Sequence, residues 1–300
     1  MRLGWLLLLA WLTLVPAGTA QADPNALWDI VHGQCVPNEE HYGRPEPCAL
    51  VELRTGEARG YAVLKDLVGA TQFLLVPTAR IAGIESPELL LLGAPNYFES
   101  AWQSRTYVDD VLGRVLPRDD FSLAINSAYG RTQNQLHIHI DCVRADVRDA
   151  LRDHEAAIGY RWAPLDILLA GHRYMAVRVA GEQLDHTNPF KLLADGVLGA
   201  REDMGRHTLV VVGAVFSNGR PGFIVLDDHA DPAIGDSAAG EELQDHACAI
   251  ASLIRRTWPA GGIPMHAIVD DSLTLKGIRS GIDVSVCAFA TGVGPLPSVR

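Results

Sequence analysis

The segment Gln135-Leu136-His137-Ile138-His139-Ile140-Asp141 constrains this chain more than any other. Polar and apolar residues alternate through it without a break, which is the period of a strand with one face buried. Leu136, Ile138 and Ile140 are expected to face a core. Gln135, His137 and His139 are expected to stand together on the opposite face. Imidazoles two residues apart on a strand sit about 7 Å from each other, and each needs hydrogen-bond partners or water. Such a pair can supply a nucleophile with an orienting neighbour, or two metal ligands. The plain alternative is a solvated strand face that happens to carry histidines.

Upstream, residues 121–126 read as a second strand that ends on Asn126. Residues 127–134 follow as a polar turn in which Gly130 is expected to supply a positive φ. Together they predict a hairpin that brings the two histidines beside Asn126 and Gln133. Further strands are expected at 61–67, 72–76, 172–179, 208–215 and 223–226. Helices are expected from 27 to 31, leading into a loop at Cys35, and at 95–112, 145–157, 188–197 and 241–254. The order strand-strand-helix-hairpin-helix is echoed in the second half without its own histidine pair. This predicts an α+β fold: one antiparallel-rich sheet with packed helices, built as a diverged duplication.

Three hundred residues suffice for one large domain or two small ones. The net charge of −11 argues against a nucleic-acid partner and supplies no polybasic membrane patch. Arg2, an apolar run at 3–15 and small residues at Ala20 and Ala22 make 1–22 a signal peptide or membrane anchor, so export is expected. Five cysteines fit that compartment. Cys35 and Cys48 flank a loop that a staple would stabilise, Cys142 follows the histidine strand, and Cys248 falls in the last expected helix. Spacing alone does not choose among their connectivities. Cys287 lies in the tail, residues 255–300, where a strand is expected at 284–289 and no chemistry is legible.

The hairpin resembles that of the histidine-triad nucleotide hydrolases and transferases, which place Asn on the first strand, Gly in the turn and three alternating histidines on the second. More closely, the chain is similar to the CDP-diacylglycerol pyrophosphatases, a membrane-associated branch of that superfamily. The segments that carry the likeness are 60–67, 73–77, 84–87, 124–127, 130–134, 137–140 and 242–246, within a stretch from Leu27 to Ile250. One position departs: Gln135 stands where the triad has its first histidine. Hexose-1-phosphate uridylyltransferases also carry a Gln in their triad, at the third position.

The resemblance implies a histidine-triad-like catalytic half at 23–160 and a diverged half at 161–254. It implies hydrolysis of the pyrophosphate of CDP-diacylglycerol, a membrane lipid, to CMP and phosphatidate. His137 would be the nucleophile, forming a cytidylyl-histidine intermediate, and no cofactor or metal is expected. His139 and Gln135 would flank it and bind non-bridging phosphate oxygens. Asn126, Gln133 and amides of the Gly130 turn would bind phosphate oxygens, Asp66 the ribose, and His172 the phosphate. Disulfides Cys35–Cys48 and Cys142–Cys248 are implied on the same ground, together with a site at the periplasmic face of the inner membrane. The oligomeric state is not legible.

Two rivals stand beside this reading. His137, His139 and Asp141 resemble the start of a zinc site of the metallo-β-lactamase type, although Cys142 replaces the histidine expected next. A non-catalytic nucleotide- or lipid-binding module is the other. His246 reads as structural because of nearby Cys248. His32, His41, His154, His186, His207, His229 and His266 read as surface.

Overall fold

The computed structural model describes residues 23–252. The leader at 1–22 and the tail, with His266, Cys287 and the strand expected at 284–289, lie outside the described residues. Nine strands form the sheet: β1 Leu50–Glu52, β2 Tyr61–Lys65, β3 Phe73–Pro77, β4 Phe121–Ile125, β5 Ile138–Cys142, β6 Ala163–Pro164, β7 Met175–Ala180, β8 His207–Val215 and β9 Pro221–His229. Every pairing is antiparallel, in the order β1-β2-β3-β5-β4-β8-β9-β7-β6. That order is mirrored about the β4–β8 pair, with β2-β3-β5-β4 on one side and β6-β7-β9-β8 on the other. The fold is α+β, as the pattern predicts.

β5 lies deep within the sheet, and all five of its residues are buried. Its alternation is real, but the polar face is covered rather than solvated. Leu75, Ile138 and Ile140 join the main core on one side. On the other, residues 26–42 run as one helical stretch: α1 Ala26–Ile30, a π turn Val31–Cys35, and α2 Val36–Tyr42. Leu27, Val31, Cys35 and Val36 pack there against Val51, Ala62, Leu64, Leu74 and Val76. Cys35 therefore sits in a helix, not in the expected loop. The wider turn accommodates Pro37, which has no N–H to donate to the preceding turn.

The main core is closed by α3 Tyr97–Gln103, α4 Thr106–Leu112, α5 Ala145–Asp153 and α6 Pro189–Gly196. Trp102 on α3 is fully buried, and its ring sets an edge against both Phe121 of β4 and Phe223 of β9. One side chain thus joins the two sides of the sheet, and its loss costs about 3–5 kcal/mol. The single helix expected at 95–112 is broken after α3. Ser104 Oγ and Arg105 Nη1 donate to the carbonyls of Ser100 and Trp102 at 2.8 and 2.7 Å, competing with the helical ladder.

The helix expected at 241–254 is replaced by a strap across the histidine face. A 3₁₀ turn, Gly240–Leu243, leads through a bridge at Gln244 into tight turns in which Ala247 N and Ala249 N donate to the Asp245 carboxylate, while other polar groups reach the sheet. Asp245 N donates to Cys142 O, and Gln244 Nε2 donates to Ser122 O. Disulfide Cys142–Cys248 fastens the strap, and Cys35–Cys48 fastens the N-terminal helix. Both cystines fit export to an oxidising compartment. Among the described residues no helix is long and apolar enough to cross a membrane.

Candidate active site

His137, His139 and Asp141 alternate onto one face of β5 and its entry; the two histidines line a cleft of about 470 Å³, with Asp141 buried beneath it. His137 is 7% exposed. Its Nδ1 is 2.8 Å from the carbonyl of Gln135. A carbonyl only accepts, so Nδ1 carries the proton and Nε2 keeps its lone pair. Burial, helped by neighbouring His139, depresses the His137 imidazole to about 4, so the ring is neutral at ordinary pH. The two rings meet edge to face, 4.9 Å apart.

His139 is held from the side. The Gln72 amide lies 2.5 Å from its Nδ1 and Glu241 Oε2 lies 3.4 Å away. With the amide donating, the proton sits on Nε2, which has no protein partner. Burial and then His246 lower this imidazole to about 3.

The strap brings two groups that the sequence reading did not place here. His246 lines the cleft, and its Nδ1 is 2.9 Å from Asp141 Oδ2. Asp141 is wholly buried. Its other oxygen accepts from Thr71 Oγ1 at 2.6 Å and Cys142 N at 2.8 Å. That carboxylate raises the His246 imidazole above its ordinary value. Gly69, at φ 76°, lets the β2–β3 turn touch the strap: a Cβ there would stand 2.7 Å from His246 Cβ. Glu241, the second group, is held by Asn126, whose Nδ2 donates to Oε1 at 2.9 Å. A histidine and acids in a loop some hundred residues from the hairpin carry no periodic signal. Only the segment 242–246, shared with the resembling family, pointed to this strap.

The remaining expected site residues divide. Asp66 lines the cleft at the β2–β3 turn, with Oδ1 accepting from Val68 N. Asn126 lines it too, but both ends of its amide engage Glu241. Gln133 lines the cleft while its amide binds Leu27 N and Asp23 O, tethering α1. Gln135 is fully buried, and its Nε2 donates to Pro77 O and Ala79 O. Gly130 does not need a positive φ; a Cβ there would come within 3.1 Å of Ser237 O. The turn's amides are already engaged by protein, those of Tyr129 and Gly130 on Ser127 Oγ and those of Ser127, Ala128 and Asn134 on carbonyls of Ala238, Gly205 and Pro24. His172 is not among the residues lining the cleft and bonds Asp236 instead. His207, expected at the surface, is 4% exposed and bonds Asp227.

Sheet and cleft define an α+β protein that presents a neutral imidazole with a free lone pair to a ligand pocket. A family model described as CDP-diacylglycerol pyrophosphatase matches residues 22–252. A CDP-diacylglycerol pyrophosphatase of Yersinia pestis is 43% identical over 229 residues, covering 76% of this chain and 86% of the relative. The chain belongs to the CDP-diacylglycerol pyrophosphatase family.

Proposed function

We propose that the protein hydrolyses CDP-diacylglycerol to CMP and phosphatidate through a cytidylyl-histidine on His137. The observation that carries this is the bond from Nδ1 to the Gln135 carbonyl, which leaves the Nε2 lone pair as the attacking pair. In the first step the N–P bond forms as the P–O bond to phosphatidate breaks. His246, held as imidazolium by Asp141, gives its proton to the departing oxygen. In the second step neutral His246 takes a proton from water, which attacks phosphorus, and the N–P electron pair returns to His137. The Nε2–H of His139 binds a non-bridging oxygen, and Asp66 the ribose.

The apolar wall of the cleft, Leu27, Ile30, Leu64 and Leu74, leads to Leu67 and Val68, 99% and 64% exposed. This rim is where acyl chains enter from a membrane, at the periplasmic face of the inner membrane. The mirrored strand order supports a diverged duplication of a histidine-triad-like unit, with the reaction kept in the first half. The zinc reading is less well supported, because both oxygens of Asp141 are committed to Thr71, Cys142 and His246.

Rapid quench of CDP-diacylglycerol turnover tests the reading. An acid-labile CMP adduct on the peptide containing His137, formed with or without chelator, is expected. Release of CDP, or an adduct that chelation abolishes, would overturn it.

A further inference from the structure

In the second half of the sheet another imidazole meets carboxylates. His172 Nδ1 is 2.9 Å from Asp236 Oδ2 and 3.5 Å from Asp228 Oδ2, and its Nε2 is 3.6 Å from Glu242 Oε2. One ligand atom from each of His172, Asp228 and Glu242 lies within 4.8 Å of the others. Each carboxylate is gripped from behind by a donor. His229 N bonds Asp228 Oδ1, Ala238 N bonds Asp236 Oδ1, and Tyr174 Oη bonds Glu242 Oε1. The second oxygen of each is thereby turned toward His172.

Asp228 separates this cluster from an ordinary acidic patch. It is 7% exposed, and its inward Oδ2 is buried without a hydrogen-bond partner. The nearest cationic group to this oxygen is His172 Nδ1 at 3.5 Å, so a bound cation or a proton is needed to complete its partners. Three carboxylates around one imidazole leave net negative charge whichever form His172 takes.

We propose that His172, Asp228 and Glu242 bind one divalent cation of the zinc or manganese class. Asp236 accepts from Nδ1–H and so leaves the Nε2 lone pair for the metal, the arrangement in which a carboxylate orients a metal-bound histidine. Mixed imidazole and carboxylate donors suit these ions. Bonds of about 2.0–2.2 Å put tetrahedral ligands about 3.3–3.5 Å apart. The Nε2–Glu242 distance of 3.6 Å is already close to that, whereas Asp228 Oδ2, 3.5 Å from Nδ1, has to shift toward Nε2 to complete the set. The cation has a structural role. Glu242 follows Glu241, and both lie on the strap that carries His246 into the cleft, so the ion pins the strap from outside the reaction centre.

The test uses the whole mature protein, stripped with chelator and titrated with Zn²⁺, and Mn²⁺ in parallel, by calorimetry and thermal melting. One equivalent and a higher melting temperature are expected. Both should vanish in Asp228→Asn and in His172→Gln, and Asp236→Asn should weaken binding at least about tenfold. His137→Ala should keep the full equivalent, which separates this site from the reaction proposed above. His172 is partly exposed, so its variant remains informative should Asp228→Asn misfold. Binding that persists unchanged in His172→Gln, or no melting shift with either cation, would overturn the proposal.

Discussion

Two pairs of histidines in this molecule share nearly the same ring geometry. His137 and His139 lie 4.9 Å apart at 65°, and His207 and His229 lie 4.8 Å apart at 75°. The second member of each pair differs at once, since His139 is buried and His229 stands in solvent. The larger difference is in wiring. His137 Nδ1 faces a main-chain carbonyl, whereas His207 Nδ1 faces the buried carboxylate of Asp227 at 2.8 Å. A carbonyl fixes the proton without stabilising the cation strongly, so the ring stays neutral with its Nε2 lone pair free, as the proposed reaction requires. A buried carboxylate that accepts the ring N–H instead ties strand β8 to strand β9, a structural use of the imidazole. Paired imidazoles do not make a site; the acceptor behind them and the cleft in front of them do.

The sharpest way to break this contrast is to remove each first ring. His137→Ala is expected to lower CMP release by more than about 10⁴-fold, as loss of a covalent nucleophile does. His139→Ala should cost less, about 10²–10³-fold, the order of one charge-stabilising donor. His207→Ala should leave turnover unchanged but lower stability by about 1–3 kcal/mol, because Asp227 loses its buried partner. Steady-state kinetics beside urea unfolding reads all three. Equal losses of turnover at His137 and His207 would erase the distinction drawn above.

Next in size is His246, which joins the first pair from the strap. His246→Gln should lower turnover by about 10²-fold, the lower range for a proton-transfer group. The pH profile gives the sign. In the proposed reaction neutral His137 is the competent form, so activity should be lost as pH falls through about 4. Protonated His246 is competent for the first step, so activity is lost as pH rises through its raised value, above 6.5. The variant should lose the alkaline limb and keep the acid one. An alkaline limb that survives in His246→Gln would remove His246 from proton transfer.

Sequence alone revealed much of this, and its failures have identifiable causes. The alternation at 135–141 located the histidine strand and its apolar face, since strand periodicity is local. It did not reveal what covers the polar face, because α1 and the strap arrive from distant parts of the chain. The sequence makes Asn126, Gln133 and Gln135 ligand-binding amides. In the fold those amides satisfy Glu241, the N-terminal helix and the exit of β3, demands visible only once strands are paired. His246 reads as structural from its neighbour Cys248, within a segment whose pattern predicts a helix. The disulfide and the bonds of Gln244 and Asp245 to the sheet overrode that local propensity.

The two disulfides extend the comparison from rings to the chain that carries them. Cys142–Cys248 closes a separation of 106 residues and anchors the strap, whereas Cys35–Cys48 closes 13 and anchors a helix beside the cleft. Replacing both Cys142 and Cys248 by Ser should cost about 2–5 kcal/mol. It should also lower turnover about ten- to a hundredfold, as a displaced catalytic group does. The Cys35 and Cys48 pair should cost less stability, and its loss should leave the rate nearly intact. Melting curves and kcat of both double variants check this; a larger kcat loss in the Cys35 and Cys48 variant would reverse the ranking.

The smallest effect is expected at the position that departs from the resembling triad. Gln135 touches His137 only through its main-chain carbonyl, which any residue supplies. Its side chain instead spends two N–H donors on Pro77 O and Ala79 O, at 2.9 and 2.8 Å. A histidine there offers one N–H toward those carbonyls, so Gln135→His leaves one of them short of a partner. The expected cost is about 1 kcal/mol of stability, with turnover within a few-fold and the CMP adduct still on His137. Gln135→Leu removes both donors, and it should lower stability further without moving the adduct. Were either variant to abolish the adduct in protein that is still folded, the side chain at 135 would belong to the chemistry, and His137 would differ from His207 by more than its acceptor and its cleft.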